Sequence, residues 1–556
     1  MKPRLYPVFA VLTTLALLLS ACNVVQELTA PTVTVSIVYG SEKREWLEPL
    51  TQQFNDSQLK LESGEVIQVE ITPMGSIESV EAILNEQIKP TVWSPASSLY
   101  VPVANAEWRR THADDLVSGS PKNLVLSPVV VAMWQPMAEA LGWPAKAIGW
   151  ADLAQLAISD EGWAQYGYPE WGAFKFGHTH PEFSNSGLAA VLAQAYAGAG
   201  KQRDLTTADL QSAAVTTLLQ GVQASIIHYG TSTGFFGERM FERGPSYLSA
   251  AVLYENLVVA QEAKRLSGQS QQLPVVAIYP AEGTFTANHP YLVLNAPWVT
   301  PEQKQAAQLF EDFLLDKPQQ TLALEYGFRP ADPAIAFTSP LDAQHGVDTA
   351  QPKTELATPS LEVLRAASEL WRAAKKPVDI LAVVDVSGSM QGDKIAAART
   401  SLGQFVGLLD DRDRLQVLLF NDSVSSMGPL EPLAESRADV TRRVSGIIEG
   451  GGTALYDAIA QAYADLQANG DPKHIRAIVV LSDGQDTASS LELGELLAQI
   501  GQSQEGGASI KVFTIAFGDD ADPEVLKQIA ESTGARTYTS RPENIQKIYG
   551  EIATFF

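Results

Sequence analysis

Absences narrow this sequence first. Its 556 residues include a single cysteine, Cys22, so no disulfide can form within the chain and the fold must rest on burial alone. Basic residues are scarce, 39 against 64 acidic, and the resulting formal charge of -25 is spread along the chain. Such a surface repels phosphate backbones and anionic lipid, which argues against nucleic acid as a partner. Beyond the N-terminus no apolar stretch approaches the roughly eighteen residues that a spanning helix needs. There is no internal repeat of about 20 to 50 residues and no low-complexity tract. The phosphate-cradling G-x-x-x-x-G-K-[ST] and the zinc-protease H-E-x-x-H are also missing, so nucleotide hydrolysis and zinc proteolysis lack their signatures, and no G-x-S-x-G nucleophile elbow is expected either.

What is present begins with an export signal at residues 1–22. Lys2 and Arg4 precede an apolar run from Val8 to Leu19 that is short for a membrane span and gives way to small residues. The close, Leu19-Ser20-Ala21-Cys22, resembles the bacterial lipobox. That resemblance implies a lipid on Cys22, a polar tether over 23–31, and attachment to the extracytoplasmic face of a bacterial cell membrane.

With 45% hydrophobic residues the remainder can build two or three cores. "TVTVSIVYGSEKREWLEPLTQQFN" reads as strand, Gly40-Ser41 turn and amphipathic helix, the helix carrying Trp46, Leu47, Leu50 and Phe54 on one face. "VIQVEITPMGSIESVEAIL" repeats that order, and "NLVLSPVVVAMW" is a long β-branched stretch. The alternation predicts an α/β fold for residues 32–345. A linker and connecting helix follow over 346–375, with "SLEVLRAASELWRAAKK" as the helix.

Residues 376–556 carry four apolar strand candidates, "DILAVV", "RLQVLLF", "HIRAIVVL" and "IKVFTIAF", separated by amphipathic helices. Near-continuous apolarity implies strands covered on both faces, as in a doubly wound, Rossmann-like sheet, whose functional groups gather beyond the carboxyl ends of the strands. Three polar clusters fall in such loops: Asp385-Val386-Ser387-Gly388-Ser389, Gly450-Gly451-Gly452-Thr453 and Ser482-Asp483-Gly484. Two carboxylates and three hydroxyls make an all-oxygen set suited to a hard divalent cation, magnesium foremost and manganese or calcium as alternatives. Thr453 also suits a helix N-cap, and Gly388 a tight turn between serines. "LLDDRDRL" reads as a solvated loop.

D-x-S-x-S at Asp385, Ser387 and Ser389, the threonine of "GGGTAL" and the aspartate of "LSDG" resemble the metal-ion-dependent adhesion site of von Willebrand factor type A domains. The resemblance covers about 180 residues and misses none of the five positions. It implies that Ser387, Ser389 and Thr453 hold the ion directly, that Asp385 and Asp483 act mainly through water, and that a partner protein's Asp or Glu fills an open position. A hydrolytic role for the ion would need a general base, and none is apparent beside the ligands.

The order of features before residue 345 is similar to the bilobed extracellular solute-binding proteins of ABC transporters. Gly40-Ser41, "VWSPASS" with Ser97, "HPEFSNSG" with Asn185 and Ser186, and "SAAVLYEN" with Tyr254 stand where that resemblance implies solute contacts. His178 and His180 read as loop residues rather than metal ligands. The expectation is therefore a non-enzymatic, lipid-tethered binding protein that takes a protein ligand through its metal. Receipt of a small solute for an ABC permease is the alternative.

Overall fold

The computed structural model describes residues 31–119, 121–501, 510–518, 521–553 and 555–556. The export signal, Cys22 and all but the last residue of the tether lie outside them. Among the described residues no helix is long and apolar enough to cross a membrane. The chain divides into two compact units, one of residues up to 126 with 288–339, the other of 127–287 with 340–556.

In the first unit β1 (Thr32–Tyr39) pairs in parallel with β2 (Val66–Pro73) and β3 (Val92–Ser94), and the short strand Leu292–Val293 closes the far side of β3. Alternation along β1 sends Val33, Val35 and Ile37 into one core. The helix Arg44–Asp56 lays its expected face there, with Trp46, Leu47, Leu50 and Phe54 all buried beside Phe310 and Leu314. Full burial of each such side chain contributes about 1.5 to 3 kcal/mol.

The second unit contains β4 (Val125–Trp134, from Ser127 onward), β5 (Phe176–Thr179), β6 (Ile226–Gly230), β7 (Ala250–Tyr254) and β8 (Val275–Ile278). β4 runs antiparallel to β7 and β8, β7 parallel to β5, and β5 parallel to β6, which leaves β6 at the edge. Helix α1 (Asn185–Ala199) follows β5 and α2 (Thr233–Arg243) follows β6.

The aperiodic stretch after 345 is held to this sheet by backbone bonds. Ala277 N donates to Gly346 O at 2.8 Å, Leu356 N to Thr284 O at 2.8 Å and Ala357 N to Gln202 O at 3.0 Å. Helix α3 (Leu361–Ala374) begins at Ser360, whose hydroxyl accepts from Val363 N. Its buried face comprises Val363, Leu364, Ala367, Leu370, Trp371 and Ala374, while Leu361 is only half-buried. The Trp371 ring packs on His180 at 4.4 Å and Tyr229 at 5.1 Å. The edge strand β6 is covered as well, because Tyr229 N donates to Phe555 O and Lys376 Nζ to Ile226 O. An edge so covered cannot template pairing with another chain.

The C-terminal sheet comprises β9 (Val378–Asp385), β10 (Arg414–Phe420), β11 (Ile475–Ser482), β12 (Lys511–Phe517) and β13 (Thr537–Ser540). All five are parallel in the order β10-β9-β11-β12-β13, with Val424–Ser426 antiparallel outside β10. Helices α4 (Asp393–Leu408), α5 (Leu455–Asn469) and α6 (Ile545–Ala553) belong to this layer. The chain leaves β9 for β10 on one side and returns to β11 on the other, so the strand order reverses at β9, where such sheets open a crevice.

The acidic turn "LLDDRDRL" is structural. Asp413 is buried, accepts from Val378 N at 2.9 Å and faces Lys375, while Asp411 pairs with Arg437. Among the described residues no three His, Cys, Asp or Glu side chains form a metal-binding group.

Candidate metal centre

Asp385 ends β9 and Ser482 ends β11, so the switch point brings them together. The Asp385 carboxylate is fully buried; one oxygen accepts from Ser387 N at 2.8 Å and the other from Ser482 Oγ at 2.6 Å. Burial pushes this carboxyl up and the Asp483 charge adds to that, while the Ser387 and Ser482 donors oppose.

The chain then turns through a short 3-10 helix, Gly388–Met390, which sets Ser387 Oγ 2.9 Å from Ser389 Oγ. Ser389 Oγ donates in turn to Asp483 Oδ1 at 2.7 Å. The second Asp483 oxygen is held by Lys394 Nζ, from the first turn of α4, at 2.6 Å. Four of the five expected residues thus form one chain of hydrogen bonds, in which Lys394 supplies the only cation among the described residues.

Thr453 joins from the other side. The expected N-cap role is not what is found: Ala454 occupies that position, and the free N-H groups of α5 are met from a distance by Asp486 and Ser489. Thr453 is instead fixed through its backbone, its N donating to Thr487 Oγ1 and its O accepting from Thr487 N. Thr453 is buried as a residue, and its hydroxyl makes no hydrogen bond among the described residues. A Cβ added at Gly484 would sit 3.7 Å from both Thr453 Oγ1 and Ser389 Oγ, so the bare glycine leaves open the space these two hydroxyls face.

The glycines divide by need. Gly451 has φ +92°, and a Cβ there would come within 2.4 Å of an Asp422 oxygen. Gly388 needs neither freedom, since an added Cβ would meet only Gly451 O at an ordinary 3.5 Å. What fixes its place is its N-H, which donates to that same carbonyl and ties the serine turn to the glycine loop.

The residues expected to contact a solute fall into two sets. In the first unit Gly40 opens the turn after β1, where a side chain would overlap the Glu42 carboxylate, and Ser41 is buried beside it. Ser97 caps its own short turn, accepting from Leu99 N. In the second unit Asn185 Nδ2 donates to Tyr254 OH at 3.0 Å, whereas Asn185 Oδ1 is buried with no partner among the described residues. Ser186 Oγ lies 2.7 Å from both Thr179 Oγ1 and Thr233 Oγ1, in a cluster of hydroxyls.

Two features were not anticipated. Directly after Ser41, Lys43 Nζ contacts Glu42 at 3.1 Å, His289 Nδ1 at 3.3 Å and Pro95 O at 3.2 Å, all buried. Burial alone would raise the Glu42 carboxyl, but Lys43 and His289 outweigh it and hold it down at about 2. The pair is invisible in sequence because His289 is 246 positions from Lys43. The second feature is Gly230-Thr231-Ser232-Thr233-Gly234, which fits the nucleophile pattern G-x-S-x-G between a strand and a helix. Ser232 has an ordinary extended backbone, φ -145° and ψ 152°, rather than the strained elbow that exposes a nucleophile. It is the residue that precedes the first turn of α2.

Comparison with known proteins places these observations. The model of the bacterial extracellular solute-binding protein family matches residues 35–329, more than half of the chain. The protein belongs to that family. Beyond the solute-binding region, residues 379–551 match the von Willebrand factor type A domain. Human inter-alpha-trypsin inhibitor heavy chain H2 is 27% identical over 190 residues, 32% of this chain and 20% of that protein. An uncharacterized protein of Mycobacterium tuberculosis is 25% identical over 484 residues, 80% of this chain and 64% of that one. The solute-binding chain therefore spans about a fifth of the heavy chain and under two thirds of the mycobacterial relative. A periplasmic thiamin-binding protein overlays 62% of this chain and 99% of its own, at 10% identity and a TM-score of 0.40.

Proposed function

We propose that this is an extracytoplasmic binding protein, tethered by a lipid on Cys22, whose type A domain holds a divalent cation and through it captures a partner protein. The observation that carries the reading is the convergence of Asp385, Ser387, Ser389, Thr453 and Asp483, with the Thr453 hydroxyl unbonded among the described residues. Hydroxyls neutralise an ion less than carboxylates do, so magnesium on this set would keep the electrophilicity to take an external Asp or Glu. Both matched families are binding modules, which agrees with a non-enzymatic role. The soluble chain, residues 23–556, is expected to retain envelope proteins in magnesium and release a subset of them to a chelator. A Ser387→Ala chain should never retain that subset. Identical retention with and without chelator would remove the metal from the function.

A second reading, delivery of a small solute to an ABC permease, is favoured by one observation: among the described residues Asn185 Oδ1 is buried without a partner, beside Tyr254. A buried acceptor left unmet costs about 1 to 3 kcal/mol, a cost a solute donor would lift. In a thermal-shift panel of small solutes one compound should stabilise the chain by about 3 kcal/mol at a hundred times its dissociation constant. Asn185→Ala should lose that response. A flat panel would leave the solute-binding fold as a platform without a solute.

A further inference from the structure

A cavity of about 590 Å³, its mouth included, lies within the second unit, between the first turn of α2 and the lower end of the C-terminal sheet. It is remote in sequence from every residue of the metal centre: its far wall is Lys511 and Phe513 of β12, Gly534 to Arg536 before β13, and Phe555. The near wall is β6 and α2, with Phe236 and Arg239 among its residues.

The charge of that wall is unlike the rest of the chain. Acidic residues outnumber basic ones 64 to 39 overall, yet Arg239, Lys511 and Arg536 line the cavity and no Asp or Glu does. Neither Arg239 nor Arg536 has a carboxylate partner among the described residues; Arg536 lies over the Tyr538 ring at 4.6 Å. Lys511 Nζ has only a carbonyl, Thr533 O at 2.8 Å. A fourth cation stands behind them, since Arg243 donates to the carbonyls of Gly534 and Ala535 and lies over Tyr247. Glu242 and Glu531 act on Arg243, which does not itself line the cavity.

Gathering like charges in a partly desolvated wall is unfavourable unless an anion answers them. Desolvation, with Arg243 and Lys175 nearby, already pulls the Lys511 ammonium down to about 8. Phe235, Phe236, Phe513 and Phe555 supply flat apolar area beside the cations, while Thr231, Ser232 and Tyr247 add hydroxyls to the lining.

We infer that this cavity is a binding site for a small organic acid, its anionic head on Arg239, Lys511 and Arg536 and its apolar body among Phe236, Phe513 and Phe555. A ligand there touches both the solute-binding sheet and the type A domain, and so links the two parts of this unit. The cavity lining includes neither Asn185 nor any of the five residues expected to hold the metal.

Calorimetry on the soluble chain tests it with three probes: naphthalene-1-carboxylate, the neutral 1-naphthalenemethanol and inorganic phosphate. The carboxylate is expected to bind at one site per chain, and both the alcohol and phosphate about tenfold more weakly or not at all. Arg239→Gln should weaken the carboxylate about tenfold, and the double variant Arg239→Gln with Arg536→Gln roughly a hundredfold. Arg536 is exposed and Arg239 half-buried, so both variants should keep the parent's circular dichroism. Should either misfold, added sodium chloride on the parent must still weaken the carboxylate and spare the alcohol. The inference fails if the carboxylate does not bind, if the double variant binds it unchanged, or if the alcohol binds equally well. Phosphate binding as tightly as the carboxylate would overturn the role given to the aromatic walls.

Discussion

Asp385→Ala is expected to abolish the stabilisation that magnesium confers. A ligand at a hundred times its dissociation constant adds about 2.7 kcal/mol to the folded state. For a domain of this size that is a rise of roughly 5 to 10 °C in midpoint. In the variant the rise should vanish at every magnesium concentration, because one of two carboxylates is gone and with it the acceptor that orients Ser387 N and Ser482 Oγ. Stability without metal should change little. The variant relieves an unfavourable burial of charge beside Asp483, and leaves two donors unmet in exchange. A magnesium-dependent rise equal to the parent's in Asp385→Ala would sink the assignment of the metal centre.

Lys394 makes the same experiment discriminating. Its ammonium holds Asp483 at 2.6 Å, so it stabilises the metal-free arrangement and repels an incoming cation. Lys394→Met should therefore move the two readouts in opposite directions. The metal-free midpoint falls, since a buried carboxylate loses its partner, while magnesium affinity rises about tenfold. Damage to the fold alone would lower both.

The five residues expected to hold the ion stood out because Asp385, Ser387, Ser389 and Asp483 lie at or just past the ends of apolar strands, while Thr453 follows a run of three glycines between two helices. Less legible was anything closed over distance. The cap of α5 comes from Asp486 and Ser489, some thirty residues downstream, so in sequence Thr453 looked like the cap. Lys394 gave no signal, because its partner Asp483 lies 89 positions further along the chain. The strand β13, Thr537-Tyr538-Thr539-Ser540, went unmarked because it is short, polar and at the sheet edge, where no continuous apolar run is required. In the solute-binding region the strand-turn-helix rhythm carried the fold, and Trp46, Leu47, Leu50 and Phe54 are buried as their spacing required. Its polar contacts did not show through, because Lys43 and His289, or Asn185 and Tyr254, meet only after the chain has crossed from one element to another.

Acid is expected to unfold the second unit well above the pH at which its carboxylates protonate. His178 and His228 are buried, and burial lowers the first to about 4 and the second to about 3. Their hydrogen bonds fix the neutral form. His178 Nδ1 faces Thr179 O at 2.7 Å and must donate, so Nε2 accepts from Gln223 Nε2 at 3.0 Å, and Gln223 Oε1 accepts from Tyr229 OH at 2.7 Å. His228 repeats the pattern with Tyr229 O and Tyr247 OH. A second proton on His178 would set its ring against the Gln223 amide donor, and one on His228 would have to turn the Tyr247 hydroxyl from donor to acceptor inside a buried site. In the unfolded chain both imidazoles protonate near their ordinary 6.5. Below that pH the unfolded state binds more protons than the folded one, so stability is present above 6.5 and is lost as the pH falls toward 4. Each group costs about 1.4 kcal/mol per pH unit, so the two together remove roughly 7 kcal/mol between 6.5 and 4. Asp385 and Asp413, whose carboxyls burial raises, work in the opposite sense and blunt the loss at its acid end. Burial lowers His180 of the same unit and His289 of the first in the same sense, so urea unfolding of the metal-free soluble chain at half-unit steps from pH 7 to 5 should show a slope of more than two protons. His178→Gln, which retains an amide able to donate and accept, should remove one of them. A stability that is level or rising as pH falls through this window would show that these rings take their protons while folded.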